Sequence, residues 1–157
     1  MKKILVTYGT RPLAQRVKQI LQNQFDVYFA TCEEIPSILT KSYSGIPTGA
    51  NPTFAHEVLK LALDLGINYI LPLGKQELLP FAEAKILFEE YDIELLVPSK
   101  ERLEDLFILE NPNKEMNLDV FIDGRSIIQS RTIDFADFSG LGLVSDDEDD
   151  VVLCVVQ

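Results

Sequence analysis

Three short segments of this sequence combine glycine, cation and hydroxyl groups in a way that suits an anion. They are Gly9-Thr10-Arg11, the stretch from Cys32 to Asn51, and Gly74-Lys75-Gln76. Each follows an apolar, β-rich run and precedes an amphipathic helical one. A strand-to-helix loop of that kind presents free backbone N–H groups and the positive end of the helix dipole. Arg11 and Lys75 add full charge. In the middle stretch Lys41, Ser42, Tyr43, Ser44 and Thr48 can all donate, and Asn51 heads the next helix. The candidate ligand-binding set is therefore Gly9, Thr10, Arg11, Thr48, Asn51, Gly74, Lys75 and Gln76, and the chemistry is capture of a phosphate or carboxylate. The alternative readings are a tight turn with a solvated arginine for the first loop and a mobile surface loop for the second.

Other chemistry is less well served. Gly9 is the only glycine near the first strand, whereas the dinucleotide fingerprint needs three, so NAD is disfavoured. His56 is the only histidine; it shares a polar helical face with Lys60 and Asp64 and reads as a surface residue. Neither Cys32 nor Cys154 has a CxxC partner, and Cys154 sits in an apolar run as a small buried hydrophobe. The acidic run from Asp146 to Asp150 lacks the ligand-and-glycine spacing of an EF-hand and reads as a solvated turn. The residues specify no cofactor, no metal site and no catalytic set.

The elements that must position the loops alternate. Ile4–Tyr8, Asp26–Thr31, Tyr69–Leu73 and Glu94–Val97 read as strands. Helices are expected after Pro12, capped by Thr10; after Asn51-Pro52, ending at Gly66; from Gln76 to about Asp92; and over 100–109, capped by Ser99. One helical turn is expected around Glu33–Leu39. This alternation predicts an α/β fold, a Rossmann-like and mainly parallel sheet with flanking helices over residues 1–112, whose ligands bind beyond the carboxyl ends of the strands. The remainder, 113–157, reads as a β-rich extension. Asp123-Gly124 marks a type I′ hairpin, further strand-like segments lie at 132–135 and 140–144, and Val151–Val156 must be buried as a central strand or across an oligomer interface.

Composition narrows the partners. The 157 residues carry a net charge of −11, which argues against nucleic acid. Residues 1–50 hold six bases and three acids, whereas 101–157 hold four bases and fourteen acids. The acidity thus belongs to the extension, and the first proposed loop lies in a net-positive segment. Cysteine scarcity, with no signal peptide and no apolar run of membrane-spanning length, predicts a cytoplasmic protein.

The run Lys3-Ile4-Leu5-Val6-Thr7, followed by Gly9-Thr10-Arg11-Pro12-Leu13-Ala14, resembles the opening of the preATP-grasp domain found in carbamoyl-phosphate synthase, biotin carboxylase and amino-acid ligases. The stretch Ile67–Leu73 through Glu77-Leu78-Leu79, then Phe88-Glu89-Glu90 and Val97-Pro98-Ser99, resembles that family's third and fourth strands. The resemblance covers residues 1–110. It implies a Rossmann-like domain that supplies part of a substrate-binding surface beside an ATP-grasp domain. The family continues with an Asp-Lys or Asp-Arg pair, whereas this chain has Glu104-Asp105-Leu106-Phe107 and then 50 residues, too few for an ATP-grasp fold.

Three functions are expected in decreasing order. The first is a stand-alone preATP-grasp-like domain without catalysis of its own, binding a small anionic ligand such as a nucleotide, phosphate or carboxylate metabolite. The second is an interaction or regulatory subunit that forms a homo-oligomer, or joins a separate ATP-grasp ligase, through the C-terminal β-extension. The third is a small enzyme working from the 32–50 loop and His56, which lacks any neighbouring nucleophile by spacing.

Overall fold

The computed structural model describes residues 1–156. Its first half is a parallel five-stranded sheet in the order β3-β2-β1-β4-β5. The strands are β1 (Lys2–Val6), β2 (Phe25–Thr31), β3 (Tyr43–Gly45), β4 (Tyr69–Leu71) and β5 (Glu94–Leu95). Leu5 of the central strand pairs with Tyr28 on one side and Ile70 on the other, which fixes the register. Helices α1 (Pro12–Leu21), α2 (Phe54–Leu65), α3 (Lys75–Glu89) and α4 (Lys100–Asp105) connect the strands. The two-residue period of β1 sorts them. Ile4 and Val6 pack with Leu13, Ala14, Val17 and Leu21 of α1, while Leu5 packs with Phe54 and Val58 of α2 and Phe81 and Phe88 of α3. Both faces of the sheet are covered, as parallel strands require.

The second half is a mixed sheet in the order β6-β10-β9-β7-β8. Its strands are β6 (Ile108–Glu110), β7 (Asp119–Ile122), β8 (Arg125–Ser126), β9 (Gly140–Val144) and β10 (Val151–Val155). Only the β6–β10 pair is parallel. The expected hairpin turn is present, with Asp123 at φ 49° and Gly124 at φ 78°, the positive pair that type I′ demands. The buried carboxylate of Asp119 steadies this corner by accepting from the Val120 amide, Ser126 Oγ and Gln129 Nε2.

Several expectations need correction. Residues 108–110 are strand rather than the end of a helix, because β10 offers them a buried parallel partner, and the chain turns extended at Leu106. The sheets therefore change ahead of residue 112. A short strand, Tyr43–Gly45, lies inside the 32–50 connection, whose helical turn is confined to Ser37–Leu39. Segment 132–135 contributes one isolated bridge, Arg125 to Thr132, and no strand. The helix caps also move. Arg11, not Thr10, is the N-cap of α1, with Pro12 in its first turn as expected. Asn51 is not a cap either: its side chain folds back on the amide and hydroxyl of Thr53, which delays α2 to Phe54. Gly66 does end α2 in the left-handed conformation, and Ser99 does cap α4 by accepting from the Arg102 amide.

Of the segment 151–156, Val151–Val155 form an interior strand, paired with β9 over Val151–Leu153 and with β6 over Leu153–Val155. Its end touches the first sheet, where the Val156 amide donates to the Leu73 carbonyl at 2.8 Å. Both hydrophobic clusters cross that junction. Val120, Leu141, Cys154 and Val156 join the α1 side, and Phe121, Phe138, Leu153 and Val155 join the α2/α3 side. Among the described residues no helix is long and apolar enough to cross a membrane.

A shared core implies one unfolding event. Phe121 is fully buried, with its ring 5.7 Å from that of Phe138. Phe121→Ala is expected to cost about 3–5 kcal/mol and to shift a single cooperative thermal transition as a whole. A melt that splits, with one component unmoved, would contradict the shared core.

Candidate functional site

The loop after β1 is tightly built. A Cβ on Gly9 would stand 2.4 Å from Cβ of Phe29, so only glycine fits beside β2. Tyr8 takes up the turn with a left-handed backbone at φ 52°, an unusual state for a bulky residue. Arg11 follows at the head of α1 and grips Glu33 with a two-point fork, Nε to Oε1 and Nη2 to Oε2, both at 2.8 Å. The Thr10 hydroxyl is a further, smaller influence that favours the charged Glu33 carboxylate. The Arg11 hydrogen bond holds the Glu33 carboxyl below its ordinary range, and the same bond raises the Arg11 guanidinium. Thr10 and Arg11 thus form an anion seat, and a carboxylate of the chain itself sits in it.

Beside this seat runs an open groove of about 900 Å³ between the first turns of α1 and the segment 111–114. Arg11, Arg16 and Lys114 line it, together with the amides of Gln15, Gln19 and Asn111 and the apolar surfaces of Pro12, Leu13 and Pro112. No aspartate or glutamate contributes to its wall. Arg16 shapes the groove by collecting backbone carbonyls of the extension. It donates to Asn113 at 2.9 Å and Pro112 at 3.4 Å, and also to Met116. The groove is therefore made jointly by α1 of the first sheet and the loop between β6 and β7 of the second.

The loop after β4 is closed differently. Gly74 caps α3, and a Cβ there would fall 2.2 Å from Cε2 of Tyr8, so the tyrosine ring fills the space above the helix. Glu77, three residues on, accepts from the Gly74 amide at 3.2 Å and from Thr7 Oγ1 at 2.6 Å, while Thr7 Oγ1 itself accepts from the Leu73 amide at 2.8 Å. This is half of a capping box, the glycine having no side chain to return the bond. Both Thr7 and Glu77 are fully buried, and Glu77 Oε2 has no hydrogen-bond partner. Burial outweighs the Thr7 and Gly74 bonds and pushes the Glu77 carboxyl up to about 7. Burial, with a hydrogen bond to Cys32, likewise raises the Tyr8 phenol.

The candidate residues fall into two groups. Thr10 and Arg11 line the groove, whereas Gly9, Thr48, Asn51, Gly74, Lys75 and Gln76 do not. Lys75 is exposed and pairs with Glu110 Oε1 at 3.8 Å. Gly49 packs on the carbonyl of Gln76; a Cβ there would lie 2.3 Å from that oxygen. The same carbonyl cannot serve the helical ladder, because residue 80 is a proline without an N–H. Thr48 is exposed, and Asn51 is spent on its turn. His56 is exposed near the start of α2, as a surface histidine would be. Sequence reasoning overlooked Arg16, Lys114, Glu33, Tyr8 and Glu77. Of these, only Glu77 left a signal, the Gly-x-x-Glu spacing of a cap.

The Glu77 shift sets a pH dependence. The folded protein keeps a proton that the unfolded chain releases near the ordinary value of 4.5, so this group's contribution to stability falls as pH rises from about 4.5 through 7. Glu77→Gln removes the titration. Between pH 5 and pH 8 the variant should gain roughly 2–3 kcal/mol on the wild type in urea denaturation. A difference that stays constant with pH would show a carboxyl that ionises normally.

Among the described residues no group of three or more His, Cys, Asp or Glu side chains is arranged to hold a metal ion. No protein-family profile matches this chain, and no curated protein matches it either. What the fold establishes is a Rossmann-like parallel sheet joined to a second, mostly antiparallel one.

Proposed function

We propose that this chain is a preATP-grasp-like binding domain that takes a small organic anion in the groove beside α1. The observation that carries the reading is the lining of that groove. Three cations and no carboxylate meet there, in a protein whose net charge is −11. Such a wall attracts a negative ligand and repels a cation. A volume of about 900 Å³ lies within the range of small-molecule sites, and the surfaces of Pro12, Leu13 and Pro112 suit a ligand with an apolar body. A nucleotide or a carboxylate metabolite meets both demands better than an inorganic ion. The strand order and the Gly9–Ala14 segment support kinship with preATP-grasp domains. Recruitment of a partner through the last strand has less to recommend it, since β10 lies between β6 and β9 rather than at the edge of its sheet.

Isothermal calorimetry at low salt with ADP, glutarate and inorganic phosphate tests the reading. At least one organic anion should bind, more weakly as salt is added. The double variant Arg11→Gln/Lys114→Gln should lose about tenfold or more in affinity, the worth of one charge-assisted contact. The absence of binding by any organic anion, or binding indifferent to the double substitution, would contradict the reading.

A further inference from the structure

We propose that Glu33 is an intramolecular competitor for the ligand: its carboxylate fills the Thr10–Arg11 seat, and a ligand carboxylate binds by displacing it. This rests on the groove being the ligand site. The three groove cations differ in their engagements. Arg16 is committed to three backbone carbonyls. Lys114 has no partner among the described residues. Arg11 faces the groove, yet its Nε/Nη2 edge, the flat fork that matches a carboxylate, is taken by Glu33, which is not part of the groove wall.

Arg11 and Glu33 side chains are 38% and 33% exposed, so solvent screens their two-point pairing and limits what its exchange costs. The Glu33 amide is separately tied to Thr31 Oγ1 at 3.1 Å, so the side chain can swing out while its backbone stays in place. A ligand carboxylate then inherits the same fork, and a second anionic end can turn to Lys114. The ligand class that follows is an organic acid with two separated negative groups, and the resident carboxylate sets the threshold that its carboxylate must exceed.

Calorimetric titration of glutarate into five forms of the protein tests this. Glu33→Gln should tighten glutarate binding about two- to fivefold, the span of an exposed ion pair. Glu34→Gln, the same charge change one residue away on an exposed side chain, should not. In Arg11→Gln the further change Glu33→Gln should have no effect, because Glu33 acts through Arg11. The proposal is overturned if Glu33→Gln weakens binding or leaves it unchanged, or if it tightens binding equally in the Arg11→Gln background. Wild-type binding with no Glu33 effect removes only the competitor, whereas no binding to any form removes the glutarate-type groove ligand as well.

Discussion

The bond from the Val156 amide to the Leu73 carbonyl, 2.8 Å long, decides where the two halves of this protein meet. It sets the end of β10 against the segment that leaves β4, at the carboxyl edge of the parallel sheet. Gly140 approaches the Leu96 carbonyl beyond β5 so closely that a Cβ would lie 3.1 Å from that oxygen. In an open α/β sheet that edge is where ligands usually enter. Here the second sheet covers it over β4 and β5, and Tyr8 covers the head of α3. The region left open is the flank of α1, where Arg16 draws in the loop between β6 and β7 and a groove forms.

Charge is distributed to match. Buried acids are satisfied by hydrogen-bond donors or held near neutrality, and Asp119 also has Arg131 Nη1 at 3.9 Å. Asp119 accepts from an amide, a hydroxyl and a carboxamide, and the Glu77 carboxyl is raised to about 7 by burial. Exposed acids concentrate in the turn at 146–150, which joins β9 to β10, and none of them lines the groove. The groove cations therefore stand in a neighbourhood that the net charge of the chain does not describe.

What the sequence conveyed depended on how local the controlling physics was. The Asp123-Gly124 turn, the Gly66 terminator and the Ser99 cap each rest on a few adjacent residues, and each was legible. The strand at 108–110 was not, because its reason lies more than forty residues away in β10. The caps of α1 and α2 failed for a related reason. Thr10 and Asn51 are good caps in isolation, but α1 starts one residue later than Thr10 would place it, and the Asn51 side chain is taken up by Thr53. Loop composition marked Thr10 and Arg11 as anion candidates; that Glu33 pairs with Arg11 required the fold. Arg16 and Lys114 are ordinary surface cations in the sequence, and only tertiary placement brings them to one wall.

The proposed anion site lies along α1 and not at the head of α3. The most direct measurement is amide chemical-shift mapping of the ¹⁵N-labelled protein titrated with glutarate. Saturable shifts are expected at Arg11, Leu13, Gln15 and Lys114, with Gly74–Glu77 unmoved. Shifts centred on Gly74–Glu77, or spread without saturation over the surface, would contradict it.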